Sequence, residues 1–416
     1  MTATGRIVLS ELDREGTLLT VASPLAERLA RTRLVEVRPE GSAWRIVPSG
    51  RVGSVRVGGL ELVVRPKDKV GLSRLLFLLG YARDPGFDAS DVSGDQDDDL
   101  WPALAESLVR QIRRALGPGV LQGYITVDDS LRTVRGRIRI GDQITRRPGR
   151  MIPIEVSHDE YTVDIAENRL LRSAIRRMLT VPRLRPDWRA SLAHLDGQLG
   201  GVSVLTPGAP LPSWSVTRMN ARYVPALRLA EIVLRHASSE SRAGDDAVAG
   251  FVVDMAAVYE DFVETALREA LASLPGTTRG QYPCRLDEPD GYSTPPISMY
   301  VDVVQTVRGM PTMIFDAKYK ASDSGGRYPN ADHYQMLAYC TALGIPTAWL
   351  VYAGPGSPRT RRIVNSVVNV VEYPLDLSLP PARLLRRVQA LADDAWARAC
   401  LRGSESIVIP DPDRTR

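Results

Sequence analysis

The sequence predicts an α+β N-terminal region, a small β-rich unit plus helices, followed by an α/β domain with a mixed central sheet. Three observations predict it. Residues 1 to about 70 alternate apolar and polar positions over short runs punctuated by Gly and Pro, the pattern of half-buried strands. Amphipathic helical spacing dominates the middle of the chain. From Phe251 the order becomes helix, strands, helix, strand, helix, which builds a sheet with helices on its faces. At 416 residues the chain exceeds the ~100–200 residues of an ordinary domain. We therefore expect three pieces: 1–125, a β-rich domain with helices; 126–245, an Arg-rich β/helical docking region; and 246–416, the α/β domain.

In the first piece "RIVLSEL", "LLTVA", "AWRIVPSG" and "SVRVGGLELVVRP" read as strands. "VGLSRLLFLLGYA" has helical spacing, and "FDASDVSGDQDDDL", with six Asp, reads as an exposed loop. "WPALAESLVRQIRRALGPG" is an amphipathic helix stopped by Gly117-Pro118. "GYITVDDSLRTVRGRIRI" is a second β segment, leading to the helix "TVDIAENRLLRSAIRRMLTV" with Asp164 as its expected N-cap and Leu170, Leu171, Ala174, Ile175 and Met178 as its buried stripe. Helices are expected over 187–198 and 222–236, then a Ser/Gly/Ala/Asp linker, "ASSESRAGDDAVAG". The last piece reads as a helix over 251–274, a strand near 279–286, the hairpin "ISMYVDVVQTVRGMPTMIFDAKYK", the helix "ADHYQMLAYCTALG", the strand "PTAWLVYAG", a β run "RRIVNSVVNVVEY" and a helix over 381–400.

Composition excludes several classes. Hydrophobic residues at 44% and charged residues at 25% are those of an average globular protein. Three scattered cysteines without a CxxC pair give neither a disulfide framework nor a zinc site and fit a reducing cytoplasm. Neither a signal-peptide core nor an apolar run long enough for a membrane span is present. His158, His194, His236 and His333 have no metal-ligand or triad spacing, and only His333, two before Gln335, is placed to line a cleft near the hairpin. "GPGSPRTRR" lacks the GxxxxGK[ST] of a phosphate-binding loop, so no nucleotide site is expected. The net charge of +4 is uneven: seven arginines lie between Arg132 and Arg150 against Asp142 alone, and seven between Arg169 and Arg189 against Asp187. Such clusters serve a solvated helix face equally well as a polyanion or acidic partner.

The hairpin carries the chemistry. With its turn centred on Gly309, Asp302 and Asp316 stand seven residues away on either side, opposite one another. Lys318, two beyond Asp316, projects to the same face. The flanking "VDVV" and "MIFDA" are apolar on both sides of each Asp, as in strands buried on both faces, where an uncompensated carboxylate is costly. Two opposed carboxylates repel, and a divalent cation resolves the conflict; Mg²⁺ binds through one or two carboxylates plus water and substrate phosphate. A nearby lysine can orient or deprotonate the attacking water. The plainer alternative is two solvent-facing Asp with Lys318 as a cross-strand ion-pair partner.

Upstream, "FVVDMAAVYEDFVETALREAL" carries Glu260; downstream, Gln335 and Tyr339 share a helix face at i and i+4. A helix with Glu, then D…(D/E)-x-K on a hairpin, then a helix with Q-x-x-x-Y resembles the PD-(D/E)xK nuclease core, here with Val301-Asp302 in place of the Pro-Asp pair. The ordered blocks "VVRPK", "LLFLLGYA", "VRGRI", "DIAENRLLRSAI", "MNARYVPALRLAEIVL", "FVVDMAAVYEDFV" and "FDAKYK" resemble the McrC family, the nuclease subunit of McrBC 5-methylcytosine-specific restriction systems, over nearly the whole chain.

That resemblance implies a restriction-endonuclease-like α/β domain that cuts modified double-stranded DNA with Mg²⁺ as cofactor. It implies a partner, an McrB-like AAA+ GTPase hexamer that this subunit stimulates. It further implies that Asp302 and Asp316 ligate Mg²⁺ with help from the Ala317 carbonyl, that Lys318 serves the water, that Glu260 is an auxiliary acid, and that Gln335 and Tyr339 orient Lys318 or a phosphate. Two rival expectations stay open: a catalytically silent adaptor that activates the GTPase, and a nucleic-acid-binding module using the Arg-rich middle.

Overall fold

The computed structural model describes residues 5–66, 72–83, 85, 100–181, 184–240, 248–288, 295–319 and 330–405. The acidic loop at 87–99 and the linker centre at 241–247 lie outside the described residues. The chain forms two compact units, one from residues 1–55, 59–92 and 252–416, the other from 56–58 and 93–251. No described helix is long and apolar enough to cross a membrane.

In the first unit, Gly5–Ser10 pairs in parallel with Leu60–Arg65, and Thr17–Leu19, Ala43–Pro48 and Val35–Glu40 form a three-stranded antiparallel sheet. A helix, Ser23–Arg31, interrupts this β-rich stretch, burying Leu25, Ala26 and Leu29. Period-two alternation elsewhere hides it; its signals are Pro24 at the first turn and apolar residues at i, i+1 and i+4. Leu72–Tyr81 is helical as expected, and Phe77 and Tyr81 stack on Phe262 of the next helix of the unit.

That next helix begins later than the sequence suggests. Phe251–Asp254 closes the strand Val248–Asp254, and Met255–Leu271 is the helix, with Asp254 as its N-cap accepting from the Ala256 and Ala257 N–H groups. The strand takes Phe251 from the helix because Phe251, Gly250, Ala249 and Val248 pair with 237–240; paired strands therefore occupy both ends of the linker expected over 237–250.

The rest of the unit is a six-stranded sheet in the order Thr277–Arg285, Ser298–Val307, Met310–Lys318, Thr347–Ala353, Asn369–Leu375, Arg359–Arg362. The first three strands are antiparallel and the two inner pairings that follow are parallel, so the sheet is mixed. The expected single β run at 361–373 is two antiparallel strands, split by a turn in which Asn365 has φ 54°. Helix Asn330–Leu343 packs Met336, Tyr339 and Cys340 onto the face bearing Val304, Ile314, Leu350, Tyr352 and Val370. Helices Met255–Leu271 and Pro381–Glu405 pack on each other and cover the other face. Strands buried on both faces need apolar residues at consecutive positions, and Met313 through Ala317 are all buried.

In the second unit, helices Leu100–Leu116, Ala166–Leu179, Pro186–Gln198 and Val224–His236 surround an apolar core. A three-stranded sheet, Gly123–Leu131, Ile154–Thr162 and Arg137–Ile138, completes it, with a short helix Ile140–Arg146 that buries none of its residues. Asp164 is not the N-cap; Ile165 occupies that place. Its carboxylate instead takes both Nε and Nη2 of Arg169, at 2.8 and 2.9 Å, and the Ser203 N–H and hydroxyl. A bidentate charged partner outbids a bare N-terminal N–H. The Arg-rich helix also spends Arg172 and Arg176 on Asp196, so much of its charge is answered inside the unit.

Candidate active site

The hairpin turn is tighter than a turn centred on Gly309. Val307 pairs with Met310, leaving Arg308 and Gly309 as a two-residue loop. Both have positive φ, 53° and 81°, the backbone of a type I′ turn. That alone would offset Asp302 from Asp316 by one residue. A bulge between Gln305 and Thr306 cancels that offset, and Val303 pairs with Phe315, which sets Asp302 opposite Asp316. The two carboxylates face each other as expected, through two compensating irregularities.

Asp316 is fully buried, and apart from Lys318 neither carboxylate oxygen has a polar partner among the described residues. The Lys318 ammonium pairs with its Oδ2 at 2.6 Å. Burial first, and the charge of Asp302 second, push the Asp316 carboxyl up to about 7, with Lys318 opposing. Burial lowers the Lys318 ammonium, but Asp316 outweighs it and the net direction is upward. Asp302 is half-buried; its Oδ2 accepts from the Ala317 N–H at 2.9 Å and its Oδ1 from Gln281 at 3.3 Å.

Glu260, on the covering helix, is half-buried, and its carboxyl is raised by burial first and by Asp302 second. It thus joins Asp302, Asp316 and Lys318 in one electrostatic cluster. Gln335 and Tyr339 do share a helix face: Gln335 Nε2 donates to Tyr339 Oη at 2.7 Å, and that hydroxyl donates to the Tyr300 carbonyl at 2.6 Å. Burial, then Asp316, raises the Tyr339 hydroxyl. Neither side chain bonds to Lys318; they grip the Asp302 strand two residues from the carboxylate. His333 faces a different acid, Glu372, at 2.8 Å.

Sequence reasoning missed Gln281, Asp332, Tyr352 and Glu372. Gln281 has no signal, since its approach to Asp302 depends on how the edge strand pairs. Asp332, 3% exposed, accepts from the Tyr352 hydroxyl. Glu372 carried the signal that exposed the hairpin pair, an acid inside an apolar run, "NVVEYPL".

No set of three or more His, Cys, Asp and Glu side chains forms a cation cage among the described residues. The donor set is instead two carboxylates and backbone, the kind Mg²⁺ takes while keeping its waters. A wholly buried carboxylate paired only with Lys318 among the described residues, opposite a second one, fits such an ion.

The sequence matches the family described as McrBC 5-methylcytosine restriction system component over residues 47–353, more than half of the chain. The chain belongs to this family. No curated protein matches it. Among solved structures, this McrBC component is similar to a chain in the half-complex from a tetradecameric assembly of Thermococcus gammatolerans McrB AAA+ hexamers with bound McrC: TM-score 0.57 at 16% identity, over 94% of this chain and 100% of that one. That likeness supports the mixed α/β fold. A chain of the Thermococcus gammatolerans McrBC complex aligns at TM-score 0.37 and 17% identity, over 65% of this chain and 90% of that one.

Proposed function

We propose that this McrBC component is the endonuclease subunit of a modification-dependent restriction complex, a PD-(D/E)xK phosphodiesterase working with Mg²⁺ on double-stranded DNA. One observation carries the reading: Asp316 is fully buried, opposed to Asp302 and paired with Lys318 at 2.6 Å. A merely structural Asp on a doubly covered strand is more stable as an apolar residue, so the pair supports a site kept for chemistry.

Asp302 and Asp316, with the Ala317 backbone, would hold the ion; Glu260 stands behind them. Bound there, Mg²⁺ lowers the pKa of a ligated water and stabilises charge on a phosphoryl oxygen. Lys318, held by Asp316, aims an ammonium at the place where the scissile phosphate gathers negative charge. Gln281 and the Ala317 N–H orient Asp302, while Gln335 and Tyr339 hold the strand that bears it. The partner is an AAA+ GTPase hexamer, and residues 126–245 are its docking region. There Arg135 and Arg137 are exposed and make no ion pair among the described residues, whereas Arg139 is taken up by Asp128 and Asp142.

The test is cleavage of 5-methylcytosine-containing duplex by the chain assembled with its GTPase partner. We expect Mg²⁺-dependent cutting that Lys318→Ala abolishes while calorimetric Mn²⁺ binding persists. Undiminished cutting by that variant overturns the assignment.

A further inference from the structure

Beyond the hairpin, the same sheet face carries a further acid that the cleavage chemistry leaves unused. Asp316 pairs with Leu350, and Leu350 with Glu372, so Asp302, Asp316, Leu350 and Glu372 form one row across four strands. Paired residues share a face. Glu372 is 1% exposed within an apolar strand. Its Oε1 accepts from His333 Nε2 at 2.8 Å and from Arg361 Nε; Oε2 has no hydrogen-bond partner among the described residues.

His333 belongs to the first turn of the helix Asn330–Leu343, which also bears Gln335 and Tyr339. Its neighbour Asp332 takes the hydroxyl of Tyr352 at 3.3 Å, and Tyr352 is the register partner of Lys318. Consecutive residues of one helical turn are thus tied to the two strands beside the carboxylate pair.

Stability does not account for this arrangement. Withdrawing a carboxylate from water costs several kcal/mol, and an apolar residue of similar volume in its place is commonly neutral or better. What an apolar residue lacks is direction: a charge-assisted hydrogen bond fixes the height and rotation of the helix where packing alone tolerates slippage. Two turns on, Tyr339 depends on that setting to reach the Tyr300 carbonyl, two residues from Asp302.

We propose that Glu372, acting through His333, is a positioning residue for cleavage, setting the helix so that Gln335 and Tyr339 hold the Asp302 strand in register with Asp316 and Lys318. The proposal rests on the nuclease reading above.

The experiment is single-turnover cleavage by the full chain in complex with its GTPase partner, using Glu372→Ala, Glu372→Gln, His333→Ala and Tyr339→Phe. Displacing catalytic groups by about 1 Å costs up to ~100-fold in rate, so Glu372→Ala and His333→Ala should slow the cleavage step roughly 10- to 100-fold. DNA affinity should stay at the wild-type level, while calorimetric Mn²⁺ affinity weakens alongside the cleavage rate because Asp302 is itself a proposed ligand. Glu372→Gln, which retains the acceptor, should recover to within a few-fold of wild type. Adding Tyr339→Phe to Glu372→Ala should slow the reaction less than the product of the single effects, because both act through one helix. A wild-type cleavage rate in folded His333→Ala, or full additivity in the double variant, overturns the proposal. If the wild-type complex fails to cut, the nuclease reading itself falls and takes this one with it, a result distinct from cutting that is indifferent to Glu372.

Discussion

The backbone N–H of Ala317 donates to Asp302 Oδ2 across the hairpin at 2.9 Å, so one of the two opposed carboxylates fastens the strands while the other, Asp316, fastens nothing but Lys318. The two therefore differ in what their loss does to the fold. Asp316→Ala should abolish cleavage and leave the unfolding midpoint near the wild-type value, since relief of the buried charge and of its repulsion by Asp302 is offset by stranding its ion-pair partner Lys318. Asp302→Ala should abolish cleavage and also cost about 1–3 kcal/mol, because a buried N–H loses its partner. Thermal unfolding beside a cleavage assay checks both; a midpoint lowered as far in Asp316→Ala as in Asp302→Ala would show that the Lys318 pair outweighs the cost of burying the carboxylate.

The edge strand that delivers Gln281 to Asp302 is set by Gly276. Its φ is +114°, and a Cβ there would lie 2.2 Å from the Thr306 carbonyl oxygen. Because that atom is backbone, it cannot yield as a flexible side chain does. Gly276→Ala should destabilise the chain by about 2 kcal/mol or more, read as a shift in denaturant midpoint, with weakened Mg²⁺-dependent cutting as a second consequence.

Asp164 supplies a pH signature in the other unit. Its Arg169 bond, against the opposing effect of burial and with help from Ser203, holds the carboxyl at about 2 instead of the ordinary 3.8. A depressed folded-state value means stability that is present above 3.8 and lost as pH falls through about 2. With allowance for solvent screening, Asp164→Asn should cost on the order of 1 kcal/mol at pH 7 and flatten the acid limb of the stability curve between those values. An unchanged acid limb would show that Arg169 and Ser203 hold the residue without charge discrimination.

Arg135 and Arg137 test the proposed docking of residues 126–245 on a GTPase partner. Charge reversal at both should reduce stimulation of the partner's GTP turnover and leave the salt dependence of DNA binding as it was. The opposite pair of results, intact stimulation with a shallower salt slope, would assign these arginines to DNA phosphates. Arg139 is a poor probe, since its reversal breaks pairs with Asp128 and Asp142.

Much of the site was legible because its signal is a contradiction within a local pattern. Asp302 and Asp316 interrupt runs too apolar for solvent-facing strands, and Gln335 and Tyr339 repeat at i, i+4; both patterns survive in the fold. Glu372 interrupts its run in the same way, but no motif around it points to a role. The opposition of Asp302 and Asp316 came out as counted only because a bulge offsets a tighter turn, and neither irregularity is marked in the residues around them.

By itself, the sequence determined most of the strands and helices of the apolar core, and that Asp302 and Asp316 interrupt apolar strands, because periodicity and burial are local consequences of side-chain chemistry. Tertiary structure alone decided the partners: that residues 251–254 extend a strand instead of starting a helix, that Asp164 answers Arg169 instead of capping, that Gln281 reaches Asp302, and that His333 meets Glu372 across 39 residues of chain. Those outcomes depend on which donors and charges the folded chain brings within about 3 Å, a competition settled by non-local contacts that spacing along the sequence does not encode.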